Sequence, residues 1–349
     1  ALLVGGMPAK ERNKILSGLK NHKIDIVIGT HALIQKDIEF NSLGLVVVDE
    51  QHRFGVNQRN LLIQKGINPH LLSMTATPIP RTLAITYHGD MDLSVIDEIP
   101  KNRIPVVTKM VDEKRLNKVY SFIIDEVKAG KQCMIVHPLI EESEKSDLLA
   151  AIDMYDTLST TVFKELNVGL LHGRQDKLQK EKIMHDFSKN KINILLSTTV
   201  IEVGIDVPNA TVMLIENAER FGLTQLHQLR GRVGRGSKKS YCILVQRKIT
   251  EQSKKRLEIM ESTNDGFKIS DEDLKMRGPG EFFGIKQSGF FNFKIADLLL
   301  DGDMVKDSRT AAEKILNNNL DALRHSHQNI YNELLRLYKD RLGQLLPKG

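Results

Sequence analysis

Leu43–Glu50 reads LGLVVVDE, and the meaning given to this octet decides the fold. A β-branched apolar run closed by two acids matches a buried parallel strand. Its carboxyl end projects carboxylates into a cleft, where open α/β sheets bind ligands. Asp49 in that position can hold a magnesium ion on a triphosphate, and Glu50 can orient or deprotonate a water. Taken alone, VVVDE also reads as an ordinary polar strand end, so the flanking sequence has to decide.

On both sides of the octet, short β-rich runs alternate with helix-like stretches, the pattern of parallel βαβ units. The first block predicts strands at Ala1–Val4, Asp25–Ile28, Leu45–Val48, Leu71–Met74 and Leu93–Ile96, with helical segments such as PAKERNKILSGLKNH and PRTLAITYHG between them. The pattern breaks at IPKNRIP, near Pro100–Pro105, which reads as an inter-domain linker. A second block predicts strands at Val106–Met110, Gln132–Val136, Val168–Leu171, Asn193–Leu196, Thr211–Ile215 and Ser240–Val245. Beyond about Thr250 the sequence reads as helical apart from the loop RGPGEFFGIKQSGFF, and Arg309–Leu346 carries apolar residues at helical spacing.

Composition narrows the class. With 349 residues the chain is long enough for two or three domains, and its 41% hydrophobic and 27% charged residues are those of a globular protein. No apolar run approaches the ~18 residues of a membrane span. No signal peptide is visible, and the opening Ala1, in place of Met, reads as a start inside a longer protein. Cys133 and Cys242 lie in apolar runs and read as buried reduced thiols of a cytoplasmic protein. Net charge is only +6, but ten Lys/Arg and one acid, Glu251, fall between Gln228 and Arg256. That stripe suits either a polyanion or a solvated positive face.

The motifs resolve the octet. DEQHRFGV (Asp49 to Val56) resembles the DExH box of superfamily 2 helicases, in the form carried by the RecG family. SMTATPIPRT (Ser73 to Thr82) resembles motif III, the Ser/Thr-Ala-Thr step that links nucleotide state to DNA grip. GTHALI (Gly29 to Ile34) sits where the family's motif Ib meets the DNA backbone. In the second block STTVIEVGIDVP (Ser197 to Pro208) resembles motif V, and QLHQLRGRVGRG (Gln225 to Gly236) contains QxxGRxGR, motif VI. A transferring phosphoryl group spreads negative charge over its oxygens; inserted arginines stabilise it, and glycines let the backbone approach. HPLIEESE and VGLLHGR match the motif IV region and the strand-turn after it, where His172 reads either as a structural histidine, the favoured reading, or as a residue near DNA. The stretch Arg256–Phe290 resembles the TRG translocation motif shared by the RecG family and the transcription-repair coupling factor, a helical hairpin and loop that couple domain closure to movement on duplex DNA.

The resemblance implies an α/β fold with two RecA-like parallel-sheet domains, the first N-terminally truncated, followed by a TRG hairpin and a C-terminal helix. The implied boundaries are 1–99, 100–250 and 251–349. It implies Asp49, Glu50, Arg232 and Arg235 as catalytic residues, with Asp49 and Glu50 on the magnesium of ATP. Gln51, His52, Gly204, Asp206 and Gln228 would meet the nucleotide. Thr30, His31, Thr75, Thr77, Thr198, Thr199, Arg277 and Gly278 would contact DNA or couple to it. The implied partner is branched double-stranded DNA, the implied state a monomer in the cytoplasm, and the implied cofactors ATP and Mg2+. One departure stands out. No GxxxxGK[ST] phosphate loop occurs in the sequence, so the chain by itself is expected not to hydrolyse ATP. A non-catalytic DNA-binding fragment and a coupling-factor motor are the alternative readings.

Overall fold

The strand β6 (Gln132–Val136, QCMIV) is buried at every residue, and it lies inside a fully parallel sheet. The computed structural model describes residues 1–51, 54–76, 91–101, 103–138, 144–198, 207–248, 250–277, 301–316 and 325–338. Within them the chain divides into two compact units, Ala1–Pro78 and Ile79–Gly349.

In the second unit six strands run in the order β5-β10-β9-β6-β8-β7. They are β5 (Val107–Asp112), β6, β7 (Val168–Leu171), β8 (Ile194–Ser197), β9 (Ala210–Ile215) and β10 (Tyr241–Gln246). Every pairing is parallel, so successive strands are joined by crossover connections and not by hairpins. The connections include α3 (Leu116–Lys128), α4 (Glu144–Thr160), α5 (Lys177–Ser188) and α6 (Leu223–Arg230). Because side chains alternate across a strand, the sheet divides its residues between two cores. Met134, Val136, Leu195, Met213, Ile215 and Leu244 enter the core with Phe187 of α5 and Leu226 of α6. Cys133, Ile135, Leu196, Val212, Leu214 and Ile243 enter the opposite core with Ile123 of α3 and Phe163. Burial on both faces explains the unbroken apolar runs. Each large aliphatic side chain taken fully out of water contributes roughly 1.5–3 kcal/mol. After β10 come the hairpin helices α7 (Glu251–Ser262) and α8 (Gly266–Arg277), then α9 (Gly302–Leu316) and α10 (Gln328–Tyr338). Local signals set helix starts: Asp176 caps α5 by accepting from Gln179 N at 2.8 Å, and Thr250 caps α7 from Ser253 N at 3.1 Å.

The first unit has two separate parallel ladders, β1 (Leu2–Leu3) with β2 (Ile28–Gly29), and β3 (Leu45–Val48) with β4 (His70–Ser73). Helices α1 (Ala9–Lys20) and α2 (Val56–Ile63) pack on one side of them, in small cores centred on Leu3, Leu19 and Ile38 and on Val46, Val48 and Leu62. The strand expected at Leu93–Ile96 is not formed: residues 91–101 contain no regular element, and Ile96 is 90% exposed. A β-prone run becomes a strand only where a neighbouring strand takes up its backbone hydrogen bonds, and among the described residues none lies beside it. The helix read from PRTLAITYHG lies outside the described residues.

Cys133 and Cys242 are both buried thiols, and burial raises the pKa of each, that of Cys242 to about 12. No described helix is long and apolar enough to cross a membrane.

Candidate functional site

In the first unit Asp49 and Glu50 directly follow β3, at the carboxyl end of the ladder as the octet implies. The chain turns sharply there. Glu50 adopts a left-handed backbone with φ 49°, and its N–H donates to Asp49 Oδ1 at 2.8 Å. Gln51 is then pinned to the end of β4: its N–H donates to Met74 O at 3.0 Å, and its side-chain Oε1 accepts from Ser73 Oγ at 2.6 Å. The acidic box and the Ser-Met-Thr segment are therefore one hydrogen-bonded assembly, with the exposed Thr75 two residues past the strand. Thr30 begins the 3-10 turn His31–Ile34, and the His31 ring stacks on Phe54, centroids 4.7 Å apart and planes 7° from parallel. The structure thus brings His31 to the DEQH segment, a contact that motif spacing did not foretell.

Among the described residues no cluster of three or more His, Cys, Asp or Glu side chains could cage a metal. The donor set fits magnesium held the way it is on nucleotides, by one or two carboxylates together with phosphate oxygens and waters. Asp49, whose Oδ1 is already oriented by the Glu50 N–H, is the residue suited to that task.

In the second unit the finger candidates follow α6, whose N-cap is Gly222. The helix carries the half-buried Gln228 and ends at Arg230. Arg232 N then donates to Leu229 O at 3.0 Å, and Val233 N to Arg230 O at 3.3 Å. Gly234 has φ 74°, and a Cβ there would lie 2.6 Å from Val106 Cγ2. The position needs glycine for both reasons. Arg103, from the IPKNRIP segment, donates through Nε to Gly234 O at 3.1 Å. The exposed Arg235 donates through Nε to Gly231 O at 3.3 Å. Arg232 and Arg235 thus leave one short, fixed turn.

At the carboxyl edge of the sheet Thr198 is fully buried, its N–H donating to Leu171 O at 3.2 Å. His172, after β7, has its pKa lowered by burial and by nearby Lys180 and Arg174. His227 on α6 is held down to about 4 by burial and then by Arg230. Arg277 is the last residue of α8, and its Nε donates to Asp273 Oδ1 at 3.0 Å. Asp273 is itself buried and accepts from Thr224 of α6 at 3.1 Å, so the hairpin is tied to α6. His52, Thr77, Thr199, Gly204, Asp206 and Gly278 lie outside the described residues.

Sequence reasoning passed over several residues of this region. Glu216, fully buried at the end of β9, has its carboxyl pKa raised by burial against the pull of Arg247, which bonds it at 3.1 Å and also pairs with Glu113. Arg220 makes a bidentate pair with buried Asp147 at 3.0 and 3.2 Å. Arg230 is 97% removed from solvent, at 3% exposure. Their one sequence signal is charge inside otherwise apolar runs, as in LIENAERFG.

A six-stranded parallel sheet presenting a glycine-dependent QxxGRxGR turn defines the class, a RecA-like helicase domain, and family models agree. The model described as DEAD/DEAH box helicase matches residues 1–86, and that described as helicase conserved C-terminal domain matches 114–237. A third, ATP-dependent DNA helicase RecG, domain 3, C-terminal, matches 263–343. The chain belongs to the RecG family. It is 53% identical over 315 residues to the ATP-dependent DNA helicase RecG of Thermotoga maritima, covering 90% of this chain and 40% of the relative. It is 51% identical to that of Bacillus subtilis, covering 90% and 46%. A solved structure of RecG bound to a three-way DNA junction superposes with a TM-score of 0.68 at 50% identity, over 87% of this chain and 39% of that one. The chain spans less than half the length of these relatives.

Proposed function

We propose that this chain supplies motor elements of a RecG-type enzyme that hydrolyses ATP to translocate on duplex DNA and remodel forks and recombination junctions. The observation that carries the reading is the finger turn. Arg232 and Arg235 leave a segment fixed by Gly234, by Arg103 and by the last turn of α6, a preorganised cation pair of the kind that stabilises charge on a transferring phosphoryl group. Gln228, one turn earlier on α6, senses the γ-phosphate. Asp49 holds the magnesium of the nucleotide, which supplies electrophilic polarisation of the phosphates. Glu50 orients the attacking water and accepts its proton, while Gln51 and His52 report the nucleotide state to the Ser73–Thr77 segment through the Gln51–Ser73 bond. Gly204 and Asp206 complete the nucleotide contacts. Thr30, His31, Thr75 and Thr199 contact the phosphate backbone, which positions DNA without reading its sequence, while Thr198, expected among them, is fully buried and does not reach DNA. Arg277 and Gly278 couple the hairpin to translocation. The name of the junction-bound relative supports branched DNA as partner; a monomeric cytoplasmic enzyme completes the reading.

The sequence contains no GxxxxGK[ST] loop, which favours a second reading for the isolated chain: a DNA-binding piece without turnover. The test is DNA-stimulated phosphate release. The isolated 349 residues are expected to show none. In the intact protein, release should fall about a thousandfold in Arg235→Ala with the fold retained. Turnover by the isolated chain that disappears in Glu50→Gln would overturn the second reading. Unchanged turnover in Arg235→Ala would overturn the first.

A further inference from the structure

Arg230 occupies one of the variable positions of QxxGRxGR, so the motif assigns it nothing. Its surroundings are unusual for an arginine. The side chain is 3% exposed, and among the described residues no carboxylate pairs with it. Nη1 donates to Met260 O at 2.9 Å, to Thr263 O at 2.8 Å and to Thr108 Oγ1 at 3.3 Å, while Nη2 meets His227 Nδ1 at 3.1 Å. A buried cation without a counter-charge is costly unless every donor is used. Here the compensation comes from the end of α7. Met260 and Thr263 present carbonyls of its last turn and cap, which have no partner inside the helix and carry the negative end of its dipole. His227, kept neutral by burial, offers a lone pair instead of a second charge.

The backbone of the same residue starts the finger turn. Val233 N donates to Arg230 O at 3.3 Å, and Gly231 N to His227 O at 3.0 Å. A single residue therefore bonds the finger turn through its main chain and the hairpin through its side chain, with Thr108 of β5 as the fixed floor. We propose that Arg230 is a positioning residue that locks the register of the Arg232–Arg235 turn to the carboxyl end of α7, so that displacement of the hairpin displaces the fingers. The proposal rests on the reading of Arg232 and Arg235 as fingers. Lysine cannot replace it. A compact ammonium on a flexible stem reaches one or two of these acceptors, whereas the planar guanidinium spans them.

The experiment uses the intact protein with Arg230→Lys, and with the milder Thr108→Val should the lysine variant not fold. Amide exchange is followed at 231–235, at 257–263 and in β6, β8 and β9. Arg230→Lys is expected to speed exchange at both 231–235 and 257–263 about tenfold or more, and Thr108→Val about threefold, with the central strands unchanged. Loosening at 257–263 alone, or uniform loosening of the whole unit, would overturn the proposal, and this arm stands whether or not the protein hydrolyses ATP. The second arm is kinetic. The kcat for DNA-stimulated hydrolysis should drop about tenfold in Arg230→Lys while KM for ATP moves less than about twofold. An unchanged kcat beside a wild-type enzyme that turns over refutes the coupling. Absence of turnover in the wild type instead refutes the functional reading and leaves the exchange result in force.

Discussion

The strands β3 and β8 are both four residues long, both parallel and both apolar, LVVV against ILLS. In β8 every residue is buried, with Leu195 facing one core and Ile194 and Leu196 the other. In β3 Val46 and Val48 are buried while Leu45 and Val47 stand 57% and 52% exposed. The same asymmetry extends to Leu2, Ile28 and Leu72 of the neighbouring strands. The difference lies in what covers the strands. Six strands with helices on both faces make a three-layer unit with two cores; among the described residues, the two-stranded ladders have helices on one face only, half of that arrangement. A two-stranded ladder is marginal by itself, so the stability of residues 1–78 rests on few contacts while that of 107–246 rests on many.

The largest expected effect tests this contrast directly. Leu214→Ala, at the centre of the six-stranded sheet, should lower the stability of the second unit by about 2–5 kcal/mol. Val47→Ala should change that of the first unit by no more than about 0.5 kcal/mol. Site-resolved amide exchange measures both. A cost for Val47→Ala near that of Leu214→Ala would break the comparison, because it would mean that the outer face of β3 is packed in solution.

A smaller effect concerns pH. His227 in the second unit has its folded pKa depressed to about 4 by burial, below the ~6.5 of an unfolded chain. The unfolded state therefore takes up a proton first as pH falls. Stability from this site is fully present above about 6.5, declines as pH drops, and is spent below about 4, with a slope of at most about 1.4 kcal/mol per pH unit. Urea unfolding followed from pH 7 to 4 should show this slope in the wild type and lose it in His227→Gln. Equal slopes in the two proteins would show that the ring is solvated and would remove one of the acceptors around Arg230.

The smallest effect compares helix starts. α5 has a side-chain cap from Asp176, whereas α1 begins after Pro8 with no side-chain cap bond. Asp176→Ala should cost about 1 kcal/mol, and Pro8→Ala less than half of that, read from thermal unfolding. Equal costs would mean that the cap hydrogen bond contributes nothing at α5.

Much of this was legible in the linear sequence. The runs LVVV, QCMIV and VGLL became strands at the positions read for them, because an apolar β-branched run between helical stretches has one good place, inside a parallel sheet. Most other strands shifted by a residue or two at their ends, and the one read at Asp25–Ile28 formed only at Ile28–Gly29, because ladder partners and not composition set the limit. The motifs DEQH, SMTAT and QxxGRxGR were legible as fixed residue types at fixed spacing, and the structure places the described parts of the first two at the ends of β3 and β4 and the third at the end of α6. The Gln51–Ser73 bond, the stacking of His31 on Phe54 and the Asp273–Thr224 tie were not, since each joins residues distant in sequence through geometry that no periodicity encodes.

By itself, then, the sequence determined the α/β class, the order of the motifs and the chemistry available to each, because those depend on residue type and local spacing. Tertiary structure alone decided that Leu93–Ile96 is not a strand, that β3 is covered on one face among the described residues, and that Arg230 is buried. The physical reason is common to all three. Burial and hydrogen-bond satisfaction belong to a residue's neighbours in space. An arginine at a variable position of a glycine motif reads as surface charge until the end of a second helix, about thirty residues further on, is seen to supply the oxygens that hold it.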